Sequence, residues 1–417
     1  MIKKNKNYSL LDYILVILLL VVTDSTFFLY AKIFKLSLLV FVFIVFLLRK
    51  GKKNIDKEFL FVVIIAIGLI VAQGLLWGFS IITVFTYTGL FLFFPYFVFR
   101  IVGIDYLRIA SNIIYVIAIY SSVLWFAQSF IPPVDQFLQD LANQVFPYTT
   151  DITPRSLLFY TVGNKGWTYM PEYGIYRNAG AFHEPGAFAV FLDLAIAINM
   201  MVAKKLFTKR NIFLMLVLLT TISTAGYFGL FIIIFFYYFD TKWIINPSIR
   251  ILAGVFLIFL FIFISARVDF LGQKVQDQWE EANTKSLNKK TVGRIYGAKK
   301  ALLVMKKYPL TGRGLISASR VSSESDEEAV KYGFMTLFSR IGIVFSIFYI
   351  IFFIKSLKRI SIYFSDSDIY WQVLLFSLII NLFSQKFALD SFFMIFIFIG
   401  VLKKEKFNYL SKVNRTY

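Results

Sequence analysis

Long, uninterrupted apolar runs recur along the whole of this 417-residue chain, and no other feature restricts its fold as strongly. A helix needs about 20 apolar residues to cross the roughly 30 Å hydrocarbon core of a bilayer. Because lipid offers no hydrogen-bond partners, a spanning segment must be a helix or part of a closed barrel. These runs are continuously apolar and do not alternate, which excludes the barrel. The sequence therefore predicts an all-α integral membrane protein.

The hydropathy pattern predicts twelve transmembrane helices in a single polytopic membrane domain over 1–417. Basic residues precede the first run, but no small-residue cleavage site follows it, so we interpret it as a helix and not as a removed signal peptide. The spans lie near 10–30, 34–48, 59–77, 80–99, 109–130, 184–203, 211–222, 224–239, 249–266, 334–354, 369–384 and 388–402.

Basic clusters predict the orientation of these spans. They lie at 3–6, 49–57, 204–210, 355–359 and 403–406, and short basic connections usually stay in the cytoplasm. Basic residues flank the apolar run 211–239 on both sides, so this run should cross twice and turn near Thr224–Gly226. Both termini are then cytoplasmic. Two long extracytoplasmic loops follow from the same parity, one over 131–183 and one over 267–333.

The two long loops favour an enzyme over a pure transporter, because a transporter needs little structure outside the membrane. Thirteen of the 44 Lys and Arg residues lie in 267–333, and the formal net charge is +20. So much positive charge on the outer side indicates an anionic partner, for example a lipid diphosphate. Nucleic acid is absent from that compartment and is not an expected partner. With no cysteine and one histidine, the chain has no disulfide, no metal-ligand pattern and no predicted cofactor.

The first loop combines an amphipathic segment with aromatic residues. Residues 134–146 carry apolar side chains at helical spacing and predict a helix lying on the membrane surface. Aromatic residues follow at Trp167, Tyr169, Tyr173 and Tyr176. Such rings can stack on sugars, but they are also typical of the belt at a membrane interface. Both interpretations stay open.

The end of the first loop contains a compact set of ionisable groups in Arg177-Asn-Ala-Gly-Ala-Phe-His-Glu-Pro-Gly186. Glu184-Pro185 predicts the start of the sixth span, since proline suits the first helical position. Arg177, His183 and Glu184 together suit glycosyl transfer, in which an arginine holds phosphate and a carboxylate or imidazole accepts a hydroxyl proton. The alternative is that Glu184 only caps the helix or pairs with Arg177.

The second loop carries a predicted helix over 294–307. On a helical wheel Ile295, Ala298, Ala301, Leu302 and Met305 form an apolar face, and Lys299, Lys300, Lys306 and Lys307 form the opposite face. Arg294 falls within the apolar face and would need an anionic partner there, unless it only begins the helix. The lysine face binds an anion or is simply solvated.

Three further features of the sequence place candidate binding or pairing groups within the predicted spans or next to them. Gly312-Arg313-Gly314 permits close approach of a phosphate, or forms an ordinary turn. Arg340 should lie about two turns into the tenth span and face the protein interior. Asp24 and Asp193 are intramembrane carboxylates, with structural pairing and a role in a site both open.

Three motifs resemble the Wzy-type polysaccharide polymerases, which belong with the O-antigen ligases in one family. They are Arg177-Asn-Ala-Gly180 followed by Phe182-His-Glu-Pro185, the turn Ser223-Thr-Ala-Gly226, and Gly293-Arg294 followed by Tyr308-Pro-Leu-Thr-Gly312. The similarity runs from about 177 to 345. It implies a GT-C-like glycosyltransferase architecture in the bacterial cytoplasmic membrane.

The resemblance also implies an activity in O-antigen or capsular polysaccharide biosynthesis. A polymerase of this kind transfers a growing glycan from undecaprenyl diphosphate to an incoming lipid-linked repeat unit, without a metal. Glu184 would be the base, with His183 beside it, while Arg177 and Arg294 would bind the diphosphate or orient the glycan. Arg313 and Arg340 would assist, and the remaining substrate-binding candidates are Lys299, Lys300, Tyr176 and Trp167. A chain-length regulator and a flippase of the same pathway are open as protein partners.

Two alternatives to the polymerase remain. Ligases of this family typically carry a histidine shortly before the tenth span and Ser-Arg at the short-span turn. This chain has Lys331-Tyr-Gly-Phe-Met335 and Ser223-Thr224 there, which favours the polymerase. A lipid-linked oligosaccharide flippase should have short outer loops and paired halves with broken helices, and the sequence indicates neither.

Overall fold

The computed structural model describes most of the helical framework and parts of both loops. The described residues are 8–24, 32–49, 55–79, 81–145, 155–157, 159–165, 168–240, 254, 294–314, 333, 335–365, 370–385 and 387–403. Within them the helices are α1 (Leu10–Asp24), α2 (Lys32–Leu48), α3 (Lys57–Trp77), α4 (Ile81–Thr88), α5 (Phe94–Val102), α6 (Tyr106–Phe130), α7 (Pro132–Val145), α8 (Pro185–Ala203), α9 (Lys209–Thr220), α10 (Thr224–Asp240), α11 (Arg294–Lys307), α12 (Met335–Ser365), α13 (Tyr370–Ser384) and α14 (Ser391–Val401).

Almost every predicted span is a helix at the expected position. By length and composition Lys57–Trp77, Val84–Phe130, Pro185–Ala203 and Leu337–Ser365 could each cross a membrane, and shorter apolar helices accompany them. A π-helical turn at Gly89–Phe93 joins α4 to α5, so the fourth predicted span is continuous. The tenth span is longer than expected, ending at Ser365. The span predicted over 249–266 lies outside the described residues apart from Gly254, and the total of twelve stays a prediction.

The bundle has two distinct ends, and ion pairs identify the first. Asp12 at the start of α1 pairs with Arg49 after α2 at 2.8 Å. Asp56 before α3 pairs with Arg100 in α5 at 3.0 Å. These pairs bring together the chain segments that the charge pattern assigns to one side of the membrane. We call this the basic end.

The other end is defined by contacts among the opposite helix termini. The Phe392 N–H, at the start of α14, donates to Thr23 Oγ1 near the end of α1 at 3.1 Å. Arg177, ahead of α8, donates through Nε to the carbonyl of Thr221 at 3.1 Å, in the turn between α9 and α10. The residues of both long loops that the structure describes meet this end, which we call the loop end. The alternation agrees with the predicted parity, and α9 and α10 form the expected hairpin.

Helix α8 lies at the centre of the bundle. It packs against α6, α9, α10, α12 and α13, and nearly all of its residues are buried. A helix that is apolar on every side is stable only when neighbours surround it. Buried alanines at 187, 189, 195 and 197 allow those neighbours to approach closely. The start of α8 is therefore a fixed point at the loop end.

The first loop folds onto the end of α6 through helix α7 and two short hairpins. Strands β1 (Arg155–Leu157) and β2 (Tyr160–Val162) pair antiparallel, as do β3 (Tyr169–Met170) and β4 (Ile175–Tyr176). Leu138 and Ala142 of α7 pack against Tyr160 and Val162. The predicted amphipathic helix is confirmed as a helix, but part of its apolar face covers this hairpin, while Phe137 is 62% exposed.

Helix α12 is broken at Gly342. Its backbone there has φ 75° and ψ 174°, so two helical pieces meet at a kink. Sequence patterning does not indicate a broken helix here, and the break lies within the tenth predicted span. It shapes the second half of the candidate site.

Candidate functional site

The turn that carries Arg177 and Glu184 is fastened to the α9–α10 hairpin. Asn178, which is buried, donates from its backbone N–H to the carbonyl of Thr220 at 3.0 Å and from Nδ2 to Thr220 Oγ1 at 3.1 Å. Arg177 adds its bond to the Thr221 carbonyl. The predicted motif at 177–180 and the turn at 221–224 therefore belong to one structural unit.

Gly180 allows the turn to lie against α8. Its φ is 57°, and an added Cβ would lie 2.9 Å from the ring of Phe188. The Gly180 carbonyl accepts from the Thr161 N–H at 2.7 Å, and Thr161 Oγ1 donates to the Phe182 carbonyl at 2.6 Å. Strand β2 thus holds the turn in addition to the α9–α10 hairpin.

Glu184 immediately precedes α8, as predicted, and Pro185 is the first helical residue. Its carbonyl begins the helical ladder by accepting from the N–H groups of Ala187 and Phe188. The carboxylate makes no capping hydrogen bond, and none of the described residues pairs with it, Arg177 included. The capping and pairing alternatives are therefore not seen. A half-buried carboxylate stands at the positive end of a buried helix.

Arg177 and His183 accompany Glu184 and are likewise half-buried. The Arg177 guanidinium lies close enough to Tyr227 of α10 to affect it electrostatically. Tyr227 is fixed by donating its hydroxyl hydrogen to the Leu219 carbonyl at 2.7 Å. The three residues predicted from the sequence therefore share one turn with defined supports.

The Tyr176 side chain packs inside the first loop. The residue is 4% exposed, and its hydroxyl donates to Asp135 Oδ2 at 2.9 Å. Burial and the Asp135 carboxylate both raise the pKa of the Tyr176 phenol above its usual value. This burial argues against the predicted stacking of Tyr176 on a sugar. Trp167, the other aromatic candidate, lies outside the described residues, and Tyr173 is exposed.

The buried side-chain amide of Gln128 also supports the first loop. Gln128 of α6 accepts from the Tyr160 hydroxyl at 2.9 Å and from the Gly163 N–H at 3.1 Å, and its Nε2 donates to the Gly163 carbonyl and to Asp135. Together Asp135, Gln128, Tyr160 and Tyr176 form a side-chain network under the first loop. We call this set the Asp135 network.

The second half of the site is built by backbone groups at the helix break. The N–H groups of Arg313 and Gly314 donate to the carbonyls of Ser339 and Arg340 at 2.7 and 3.2 Å. The Ile343 N–H donates to the Pro309 carbonyl at 2.7 Å. A break in a membrane helix exposes backbone groups that lipid cannot satisfy, and residues 309–314 satisfy them. We call this arrangement the break clamp.

Glycines make the break clamp possible. A Cβ on Gly312 would lie 2.5 Å from the Arg340 carbonyl carbon, and one on Gly342 would overlap the Leu310 carbonyl oxygen. Gly312, Gly314 and Gly342 all have positive φ. The close approach predicted for Gly312-Arg313-Gly314 is therefore made to the backbone of α12.

Arg340 lies beside the break. It is half-buried and comes five residues after the start of α12, nearer the helix end than predicted. Both Arg340 and Asp390 lie close enough to Tyr87 of α4 to affect it electrostatically. The backbone bonds of the clamp place the chain at residue 313 beside the chain at residue 340, and a shared role of the two side chains stays a prediction. Sequence reasoning missed Tyr87 and Asp390, which have no distinguishing pattern around them.

Helix α11 is confirmed, but its orientation differs from the helical wheel. Lys300 is only 9% exposed and Ala301 is buried, whereas Leu302 is 40% exposed. Since α11 packs against α12, the buried side is rotated toward Lys300. Lys300 therefore does not share a solvated face with Lys299, which is exposed. The side chain of Arg294 lies outside the described part of the chain.

The intramembrane carboxylate Asp193 has a structural partner. It is completely buried in α8, and its Oδ2 accepts from Asn381 Nδ2 of α13 at 2.7 Å. Gly229 of α10 lies so close that a Cβ would overlap this pair. Structural pairing is thus seen for Asp193, while the side chain of Asp24 lies outside the described residues.

An apolar groove reaches the turn that carries Glu184. Its volume is about 530 Å³, and it runs between α1 and α6. Ile17, Leu20, Ile113 and Val116 line its middle, and Phe159, Ala181 and Phe182 close it at the loop end. The groove suits a hydrocarbon chain, and Tyr13, Asn112 and Arg210 line its part nearer the basic end.

Comparison with known proteins yields one family match. Residues 211–336 match the family model Wzy_C, described as O-Antigen ligase, which is less than a third of the chain. The matched segment starts in α9, includes the 221–224 turn and the break clamp's loop, and ends in the first residues of α12. No curated protein and no solved structure matches the chain. The match supports the O-antigen ligase and polymerase family, and with it a membrane enzyme that handles lipid-linked glycans.

Proposed function

We propose that this chain is a polysaccharide polymerase of the cytoplasmic membrane. It transfers a growing glycan from undecaprenyl diphosphate to a sugar hydroxyl of an incoming lipid-linked repeat unit. The reaction takes place at the loop end, on the outer face of the membrane, and needs no metal. The observation that carries the proposal is the Glu184 carboxylate at the head of α8, which pairs with none of the described residues and lies on the same turn as Arg177 and as Phe182 of the apolar groove.

Side chains of this protein supply the proton acceptor and the positive charges that the transfer needs. The acceptor hydroxyl oxygen forms a bond to the anomeric carbon of the growing glycan, and Glu184 accepts its proton. The bond from that carbon to the diphosphate oxygen breaks, and undecaprenyl diphosphate leaves with the electron pair. Arg177, Arg313 and Arg340 offset its negative charge, because cations aimed at developing charge stabilise a transition state. Glu184 then returns its proton to water.

The apolar groove supports a lipid-linked donor. An isoprenoid chain lying between α1 and α6 would leave its diphosphate near Phe182, one residue before the His183-Glu184 pair. The exposed basic residues of the second loop, including Lys299, add to the attraction for an anionic lipid. We also propose Arg294 as a diphosphate ligand, on the basis of its motif's resemblance to the polymerase family.

A matched pair of carboxylate variants tests the role of Glu184. Purified protein in liposomes receives a defined undecaprenyl diphosphate-linked repeat unit, and the products are separated by length. We expect a ladder from the natural protein and a loss of about 100-fold or more in Glu184→Gln, since a general base contributes roughly that much. Glu172→Gln is the control, because Glu172 is exposed in the same loop. A full ladder from Glu184→Gln would remove the base from the mechanism.

The ligase is the second candidate, because the matching family model is described as O-Antigen ligase. The flippase is a third, since α12 has the kind of broken helix found in transporters. A deletion strain distinguishes all three. Single repeat units accumulating on the outer leaflet indicate the polymerase, and accumulation on the inner leaflet indicates the flippase. Full-length glycan that stays unattached to its final acceptor indicates the ligase.

A further inference from the structure

We infer that Gln73 of α3 is a positioning residue that sets Arg313 and Arg340 in one site, an inference that rests on the proposed function for its catalytic consequence. The side-chain amide of Gln73 donates to two backbone carbonyls, those of Thr311 and Arg340. It acts through the backbone of the two segments that carry the arginines.

Gln73 joins three separate parts of the chain. Its side chain is completely buried one turn before the loop end of α3. Nε2 donates to the Thr311 carbonyl at 2.7 Å and to the Arg340 carbonyl at 2.8 Å. One amide group therefore uses both hydrogens to bridge the loop at 309–314 and the last turn of α12 before the break.

A neighbouring ring contact makes the same connection. The rings of Trp77 of α3 and Tyr308 meet edge to face with centroids 4.9 Å apart. A Cβ on Gly314 would lie 2.8 Å from the ring of Phe79. The end of α3 thus forms a wall against which the break clamp is seated, and Gln73 supplies the polar bond within that wall.

The chemistry of the site requires a primary amide at position 73. Two carbonyl oxygens need two donors from one side chain, which a leucine lacks entirely. Without the amide the Thr311 carbonyl would lose its bond from position 73, whereas the Arg340 carbonyl would keep only its bond from the Gly314 N–H. A buried carbonyl left without a donor costs about 1–3 kcal/mol. An ionised glutamate would present oxygen to oxygen and repel both carbonyls, although it has the same shape as glutamine. Asparagine keeps both donors but is one methylene too short to reach the two carbonyls together.

The position of the arginines follows from these bonds. Arg340 is the residue whose carbonyl Gln73 holds, and Arg313 lies two residues after Thr311 in a loop without regular secondary structure. Misplacing a catalytic group by about 1 Å can reduce turnover roughly 100-fold. Loss of Gln73 should therefore lower turnover more than it lowers the amount of folded protein.

The experiment has two readouts, one of which does not depend on activity. The natural chain has no cysteine, so spin labels can be attached at introduced cysteines in Leu75→Cys and Leu310→Cys, both exposed positions. Pulsed electron resonance reports the distance between α3 and the clamp loop. The ladder assay, run over a range of repeat-unit concentrations, reports kcat and KM. Gln385→Leu is the matched control, because its buried Nε2 makes no hydrogen bond with the described residues.

We expect Gln73→Leu and Gln73→Glu to broaden the distance distribution and to lower kcat at least tenfold with a smaller change in KM. Gln385→Leu should leave both unchanged. A narrow distribution in Gln73→Leu, or full kcat despite broadening, overturns the inference. Absence of a ladder from the natural protein overturns the proposed function instead, and the distance measurement still decides whether Gln73 holds the loop.

Discussion

The two halves of the candidate site reach the same end of the bundle by different means. The turn carrying Glu184 is supported by side chains, in the Asp135 network and in the bonds of Asn178 to Thr220. The loop carrying Arg313 is held by backbone groups, glycines and the single amide of Gln73. A side-chain network can lose one member and relax. A backbone clamp closed by glycines has no room to do so, and we expect the two halves to respond differently to substitution.

The strongest test of that difference is Gly342→Ala in the break clamp. A methyl group there would overlap the Leu310 carbonyl, and φ is 75°. With ψ at 174°, this backbone conformation is essentially restricted to glycine and costs another residue about 1–3 kcal/mol, before the overlap is relieved. We expect loss of the ladder and a large fall in thermal stability, measured by scanning fluorimetry in detergent.

The control for this glycine lies in an unbroken helix. A Cβ on Gly68 of α3 meets nothing within 4 Å, and alanine is favoured over glycine by roughly 1 kcal/mol within a helix. Gly68→Ala should therefore be neutral or slightly stabilising. Normal stability and a normal ladder in Gly342→Ala would mean that the break is not needed, and the contrast between the two halves would fail.

A smaller effect is expected in the Asp135 network. In Asp135→Asn the amide cannot accept from the Tyr176 hydroxyl and from the amides of Gln128 and Gln139 as the carboxylate does. The loss of charge-assisted bonds should cost about 1–3 kcal/mol. The first loop should become more sensitive to added protease, while the ladder is reduced but not abolished.

Asp140→Asn provides the comparison, since Asp140 is exposed on the same helix. Its protease sensitivity should equal that of the natural protein. If Asp135→Asn abolished the ladder as completely as Gly342→Ala, the side-chain network would be no more tolerant than the clamp.

The sequence predicted the elements of each half better than the contacts between them. Helix periodicity and the Glu184-Pro185 pair located α8, and the charge pattern located the α9–α10 hairpin, because those signals are local. The break at Gly342 has no local signal, since a glycine between Ile341 and Ile343 is ordinary in an apolar span. Its partner loop is brought to it by tertiary folding.

Two individual residues show where side-chain roles were misjudged. The helical wheel puts Lys300 on the lysine face opposite the apolar residues because a wheel treats the helix alone, whereas packing against α12 buries Lys300. Gln73 was overlooked, although a single amide within the apolar run 59–77 is costly unless it has partners. A polar residue within a span thus predicts a contact, but not its partner. In this protein the partners are residues 311 and 340.

The smallest expected effect separates structure from substrate contact at Tyr176. Tyr176→Phe keeps the ring and removes the hydroxyl bond to Asp135. A single hydrogen bond contributes about 0.5–1.5 kcal/mol, so stability should fall slightly while kcat and KM stay within about twofold. Tyr173→Phe, at an exposed position of the same loop, is the control for stability. If Tyr176→Phe instead raised KM for the repeat unit severalfold with unchanged stability, the phenol would contact the sugar. The first half of the site would then bind substrate through the same network that supports it.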